Sequence, residues 1–219
     1  MSSINEHFTF EYSQPEEYHF SHDSVFLARE VFEMYRDEGL SPASCLDLCS
    51  GCGIIGLDFL FHNQKERGVV PRSFDFLEVQ ANIYQEHFDK NVAHVVDPKT
   101  AIKFIPENYD VLQTEQYKNQ YDLILCNPPY FHKDQGTLSP SDFKNRCRFF
   151  IDSDFANLMR GIENSLRPGG RAYVLLREQR QHGWSAFHLA GQHLSSVMSL
   201  EILGDIRGTS LLEIRKASN

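Results

Sequence analysis

Short apolar runs alternate with longer amphipathic stretches along most of this chain, and the alternation predicts a repeating strand–helix order. Apolar runs of strand length lie at 44–48 (SCLDL), 73–78 (SFDFLE), 102–105, 121–126 (YDLILC) and 171–177 (RAYVLLR). Between and around them, helical spacing predicts helices at about 23–38, 53–62, 80–91, 153–166 and 184–194. Apolar strands separated by helices imply a parallel sheet covered on both faces. Two further runs, about 198–205 and 209–215, are joined by a short Arg-Gly turn, which suits an antiparallel hairpin closing one edge. The expected fold is therefore α/β, a mostly parallel seven-stranded sheet with a C-terminal antiparallel hairpin and helices on both faces.

Punctuation between these elements supports the same order. Asp23 or Ser24 can cap the first helix, and Gly39 then Pro42 end it. Pro168-Gly169-Gly170 is expected to separate helix 153–166 from the strand at 171. Residues 1–22 show no helical period, so they read as an irregular or hairpin arm ahead of a single domain over 23–219. The stretch from Asn127 to about 152 reads as a polar loop.

Bulk properties narrow the class. A chain of 219 residues is about 1.5 times a typical domain and buries roughly 70% of its unfolded surface, so it can hold a core without staples. No apolar run approaches the ~18 residues of a membrane span, and MSSINEHFTFEYSQPEE lacks the basic and apolar regions of a signal peptide. A cytoplasmic protein with no membrane partner is expected. The five cysteines are odd in number, and Cys45, Cys49 and Cys52 fall within eight residues, a pattern unlike a secreted disulfide framework. The net charge of −9 argues against nucleic acid as a partner, because phosphates are neutralised by Lys and Arg. The charge is uneven, however. Residues 1–23 carry Glu6, Glu11, Glu16, Glu17 and Asp23 with no Lys or Arg, whereas 131–151 carries Lys133, Lys144, Arg146 and Arg148 against Asp134 and Asp142. A local basic patch of this kind can bind RNA on an acidic protein.

The first chemical signal is Asp47-Leu48-Cys49-Ser50-Gly51-Cys52-Gly53, which leaves an apolar strand and opens a helix. Glycines there let backbone approach a ligand at the carboxyl end of a parallel strand. Asp47 is the candidate acid for a ligand ammonium. About thirty residues on, the next strand ends in Glu78, which is placed to accept both hydroxyls of a ribose. Two other readings stay open for this segment: a tight strand-to-helix turn with no ligand, and a Cys49/Cys52 redox or metal pair at a helix N-terminus. A zinc site would want a second Cys or His pair of suitable spacing. His19 and His22 are three apart but stand among ten histidines, so no metal is expected.

The second signal, Asn127-Pro128-Pro129-Tyr130, follows the fourth strand. Two prolines fix the backbone and remove two N–H donors. Asn127 Oδ1 and the Pro128 carbonyl can then accept from an exocyclic amine, while Tyr130 or Phe131 stacks on a flat base. Those bonds aim the nitrogen lone pair at an electrophile. The alternative is a stiff proline turn with no chemistry.

Taken together, DLCSGCG, FLEV and LCNPPY resemble the motifs of class I, Rossmann-like S-adenosylmethionine-dependent methyltransferases in their order and spacing. NPPY is similar to the motif of amine-directed N-methyltransferases acting on adenine, guanine or glutamine. HFSHDSVFLA, YDLILCNPPYF and GIENSLRPGGRAYVLL most resemble the bacterial tRNA adenine-N6 methyltransferase family, over roughly residues 18–180. The resemblance implies S-adenosylmethionine as cofactor, with contacts at Asp47, Cys49, Ser50, Gly51, Gly53, Glu78, Val79 and Asn127. It places Asp23 in a segment lining the cofactor pocket and selects Asp110 as the acid for the cofactor's adenine amine. Asn127, Pro128, Pro129 and Tyr130 become the catalytic loop, Phe131 a stacking residue, and Arg146 and Arg148 phosphate contacts. Cys49 and Cys52 depart from the small residues common in the motif, and the C-terminus is shorter than in the family, so a protein partner supplying further RNA-binding surface is one expectation. The implied reaction is methyl transfer to the N6 amine of an adenine in RNA, tRNA favoured. A protein glutamine methyltransferase, a small-molecule amine methyltransferase and a non-catalytic scaffold are the other readings.

Overall fold

In a computed structural model, which describes residues 11–95, 99–132, 136–178 and 185–218, seven strands form one sheet in the order β3-β2-β1-β4-β5-β7-β6. The strands are β1 (Ser44–Leu48), β2 (Ser73–Leu77), β3 (Ala101–Ile105), β4 (Tyr121–Cys126), β5 (Leu166–Leu176), β6 (Met198–Ile206) and β7 (Thr209–Lys216). The first five run parallel, and β7 is antiparallel to both β5 and β6. Structures of this kind place their ligands at the carboxyl ends of the parallel strands, where the order reverses. Here the reversal lies between β1 and β4.

A period of two in the strands assigns side chains to the two faces. In β4, Leu123 and Leu125 enter one core with Cys45, Phe74, Phe76, Tyr173 and Leu175, while Ile124 and Cys126 enter the other with Leu46, Leu48, Val174 and Ile214. Helices α1 (His22–Asp37), α2 (Ile54–His62) and α3 (Ala81–Val95) cover the first face. Helices α5 (Phe155–Ser165) and α6 (Ala186–His193) cover the second, with short 3-10 turns at Tyr109–Gln113 and Glu115–Tyr117. Helix α2 runs on into one π-helical turn, Asn63–Arg67.

Several local expectations change. Helix α1 is preceded by Ser21 at its N-cap, so Asp23 and Ser24 lie inside the first turn instead of capping it. Strand β5 begins at Leu166 and carries the Pro-Gly-Gly run within it, because Leu166 already pairs with Tyr121 across a register shift. The stretch after the fourth strand holds an additional helix, α4 (Asp142–Arg148), capped by the Ser141 hydroxyl accepting from the Lys144 N–H. Residues 11–20 have no regular structure but are fastened down. The Tyr12 hydroxyl donates to buried Asp58, and the Ser13 N–H donates to Asn91. Residues 1–10 of the expected arm, Lys133, Asp134 and Trp184 lie outside the described residues.

Candidate active site

The tips of β1, β2, β4 and β5 open into one cavity of about 390 Å³. The arm closes it on one side with Tyr18 and Phe20, and residues 146–153 close it on another. Its wall divides into two halves with different construction.

The first half is built by the turn after β1 and the tip of β2. Cys49, Gly51 and Gly53 all have positive φ (60°, 54° and 83°), so this turn alternates in and out of the left-handed region. That conformation turns two of its N–H groups towards the tip of β2. Ser50 N–H donates to the Leu77 carbonyl at 3.0 Å, and Gly51 N–H donates to Glu78 Oε2 at 2.9 Å. Gln80 N–H donates to Glu78 Oε1 at 2.8 Å. Glu78 is thus buried in the wall with each oxygen held by a backbone donor, and burial raises its pKa above the ordinary carboxylate range. Each oxygen keeps a second lone pair for a ligand hydroxyl. Ser50 Oγ and Gln80 Oε1 are buried in the same half without a hydrogen-bond partner. Unpaired buried oxygens of this kind are costly unless a ligand satisfies them. Val79 and Cys49 complete this part of the wall.

Three expected contacts stand elsewhere. Asp47 is fully buried behind the wall, where its Oδ2 accepts from Gly56 N–H at 2.8 Å and holds the start of α2 against β1; burial pushes its pKa well up. Gly53 also lies outside the cavity lining: a Cβ there would come within 2.7 Å of the Phe88 ring, so its place is fixed by packing. Asp110 does not reach the cavity either, because the Ser153 hydroxyl engages its Oδ1 at 2.5 Å. Glu107 and Tyr109 line the wall in its place. Glu107 sits two residues past β3, at the strand edge where Glu78 sits on β2.

The second half is the Asn127–Tyr130 loop and what surrounds it. Asn127 Nδ2 donates to Ser24 Oγ at 3.1 Å, and Asn127 Oδ1 accepts from the Tyr130 hydroxyl at 2.5 Å. Those two bonds fix which way the amide faces. Pro128 and Pro129 stiffen the turn between them. Tyr130 and Phe131 N–H groups both donate to the Arg148 carbonyl, and Phe150 N–H donates back to the Phe131 carbonyl. Segment 148–150 therefore buttresses the loop. The Arg148 guanidinium lies 5.7 Å from the Phe131 ring and 5.6 Å from that of Phe149. Asp23 lies in the wall on this side, 3.5 Å from the Arg207 guanidinium, and Tyr130 is raised by burial first and by Asp23 next.

Arg146 faces the cavity but is held by both Asp152 oxygens at 2.8–3.0 Å, so its charge is already compensated. That removes it from the free phosphate contacts. Arg177 was missed among the candidates although it follows β5 directly and lines the cavity; the strand-end rule that selected Asn127 would have found it. Ser24 carried no such signal, because its partner Asn127 lies far away in sequence. Asn91 is another: its amide donates to the carbonyls of both Ser13 and Cys52, tying the arm to the glycine-rich turn.

The redox reading of Cys49 and Cys52 loses its chemistry. A redox pair at a helix N-terminus needs a lowered thiol pKa, and burial pushes the Cys52 thiol up to about 12. Among the described residues no three His, Cys, Asp or Glu side chains gather as metal ligands, and no helix is long and apolar enough to cross a membrane.

Residues 25–140 match the family model described as Conserved hypothetical protein 95. A Shewanella sp. (strain W3-18-1) protein named tRNA1(Val) (adenine(37)-N6)-methyltransferase is 31% identical over 150 residues, which cover 67% of this chain and 57% of that protein. A protein of the same name from Dyadobacter fermentans is 40% identical over 58 residues, 26% of this chain and 23% of its own. The chain thus spans a little over half the length of the first of these relatives. Among solved structures, a T. thermophilus 16S rRNA methyltransferase in complex with AdoMet and guanosine aligns with a TM-score of 0.62 at 17% identity, over 92% of this chain and 44% of that one. An Aquifex aeolicus tRNA methyltransferase aligns with a TM-score of 0.55 at 10% identity, over 95% and 73%. The fold is that of Rossmann-like methyltransferases.

Proposed function

Since the chain belongs to the Conserved hypothetical protein 95 family, we propose that it is an S-adenosylmethionine-dependent N-methyltransferase whose acceptor is the N6 amine of an adenine in RNA, with tRNA as the preferred class. The observation that carries this reading is the Asn127 amide, locked by Ser24 and Tyr130 beside the Pro128 carbonyl in the same cavity as Glu78. The names of the Shewanella and Dyadobacter relatives support the choice of adenine in tRNA.

The residues of the first half suit the cofactor. Glu78 offers a lone pair from each oxygen to a ribose, and the unpaired Ser50 and Gln80 oxygens await donors such as hydroxyl or amine N–H groups. Bound there, S-adenosylmethionine would supply an electrophilic methyl group. Asn127 Oδ1 keeps one lone pair after accepting from Tyr130, and the Pro128 carbonyl offers another acceptor. Each takes one N–H of the amine, which turns its nitrogen lone pair out of conjugation with the ring. Holding nucleophile and methyl in line can supply about 7–11 kcal/mol. The base must leave its stack to enter a cavity this deep, so a loop nucleotide or a flipped one is the target. Tyr130 and Phe131 offer the faces against which it rests.

The test is transfer of label from S-adenosylmethionine into tRNA, rRNA and protein fractions from cells lacking the protein. Label that digests to N6-methyladenosine is the expected result. Label in protein alone would replace adenine by glutamine, the acceptor in the name of a 28%-identical Schizosaccharomyces pombe relative covering 50% of this chain.

A further inference from the structure

Beyond the cavity, the second half continues onto the turn between β6 and β7. The Thr209 hydroxyl is in hydrogen-bond contact with Tyr130, so the first residue of β7 touches the Asn127–Tyr130 loop. The turn itself is Arg207-Gly208, both at positive φ (54° and 88°). Tight hairpins favour Asn, Asp or Gly at such positions, where a branched or long L-residue is disfavoured. An arginine there needs a reason beyond turn formation. Its guanidinium reaches back to cavity-lining Asp23 at 3.5 Å, with about half of the side chain still exposed. Arg177, exposed one residue past β5, lines the cavity beside Tyr130 and has no carboxylate partner among the described residues. Arg148, stacked near Phe131, lines the same cavity. A chain with a net charge of −9 thus gathers arginines around one opening, where Arg177 has no carboxylate partner among the described residues and Arg207 holds Asp23 only at 3.5 Å, while Arg146 nearby is closely paired with Asp152.

Resting on the adenine-in-RNA reading above, we propose that Arg177 and Arg207 contact the RNA phosphates on either side of the target nucleotide, and that the β6–β7 turn is the part of the acceptor surface outside the cavity. Arginine suits this because its planar fork matches a phosphate bidentately. Arg207 would exchange Asp23 for phosphate as RNA arrives.

The experiment is equilibrium binding of bulk tRNA across a salt series, with no methyl transfer required, for the wild type, Arg177→Ala, Arg207→Ala, the double variant and Arg160→Ala. Arg160 is an exposed arginine on α5, outside the cavity lining. Each mouth variant should flatten the slope of log affinity against log salt by about 0.7–0.9, the increment for one phosphate contact. The double variant should lose roughly 25- to 60-fold in affinity at 0.1 M salt, the effect of two such contacts. A retained thermal shift with S-adenosylmethionine shows that each variant is folded. Wild-type slope in the double variant, or an equal loss in Arg160→Ala, would overturn the assignment while leaving the RNA reading intact. Failure of the wild type to bind tRNA at all, with the cofactor shift present, would overturn both.

Discussion

The two halves of the cavity are made by different means. Around Glu78, the ligand-facing groups are held by backbone hydrogen bonds between the ends of neighbouring strands: Ser50 to Leu77, Gly51 and Gln80 to the Glu78 carboxylate. Around Asn127, positions are set by groups brought from far apart, namely Ser24 on α1, Arg148 at the end of α4 and Thr209 on β7. The first half is a rigid seat cut into the sheet. The second is an assembly whose parts can change separately. That division lets the acceptor side change without disturbing the seat, because function resides in the grafted site more than in the fold.

Four substitutions and one titration would break or sharpen this contrast. The largest effect belongs to Asn127→Ala, which removes the proposed amine acceptor. Transfer should fall by about 10²–10³ or more, the scale seen when one preorganised polar group is deleted. The cofactor-induced thermal shift should survive; loss of both together would merge the halves. Glu78→Gln comes next. It sets an amide NH₂ against a backbone N–H and should weaken cofactor binding by roughly 10- to 100-fold, from the ~1.5–3 kcal/mol of a charged hydrogen bond. Turnover at saturating cofactor should recover. Because burial raises the Glu78 pKa, cofactor affinity should fall with acidification from a pH above the ordinary ~4.3 of glutamate, which a titration of the thermal shift reads.

Asn91→Ala should have an intermediate effect. It leaves the Cys52 and Ser13 carbonyls without their donor, at about 1–3 kcal/mol, so the arm should become more susceptible to limited proteolysis and cofactor affinity should fall modestly. The smallest effect is expected at His62. Its pKa is raised above 6.5, first by Asp58, a fully buried acid that also holds Tyr12 of the arm. The stabilisation is complete below about 6.5 and is lost as pH rises through the folded-state value. His62→Gln should therefore lower Tm by roughly 2 °C at pH 6 and by less at pH 8. An equal loss at both values would show that the pair is not charge-linked.

The same contrast explains what the sequence disclosed. Strands such as 44–48 and 121–126 were legible because apolar strand-length runs are a short-range signal, and Glu78 and Asn127 were legible because each ends such a run. Helix α4 was not, since seven residues reading DFKNRCR carry too few apolar positions to show a period. Asp47 stands at the expected strand end, but period two turns its side chain behind the cavity wall, into the α2 face beside Cys45. Asp110 differed from Glu107 by three residues across a 3-10 turn, whose start depends on Asn108 capping Asp110. The Ser24–Asn127 bond spans 103 residues, and no local pattern encodes such a separation.

Strand β6 ends the sheet, and its pairing with β7 slips by one residue between Ile202 and Gly204. An unpaired strand edge is a template on which another chain can add, and nature blunts such edges with bulges and charge. Here the slip puts Met198–Ile202 and Gly204–Ile206 in different phases, so a regular incoming strand cannot match both stretches at once. With Glu201 and Asp205 exposed on either side of the slip, the irregularity keeps Ile202 and Leu203, both exposed, from seeding an endless ribbon. The sheet stops growing at the seventh strand.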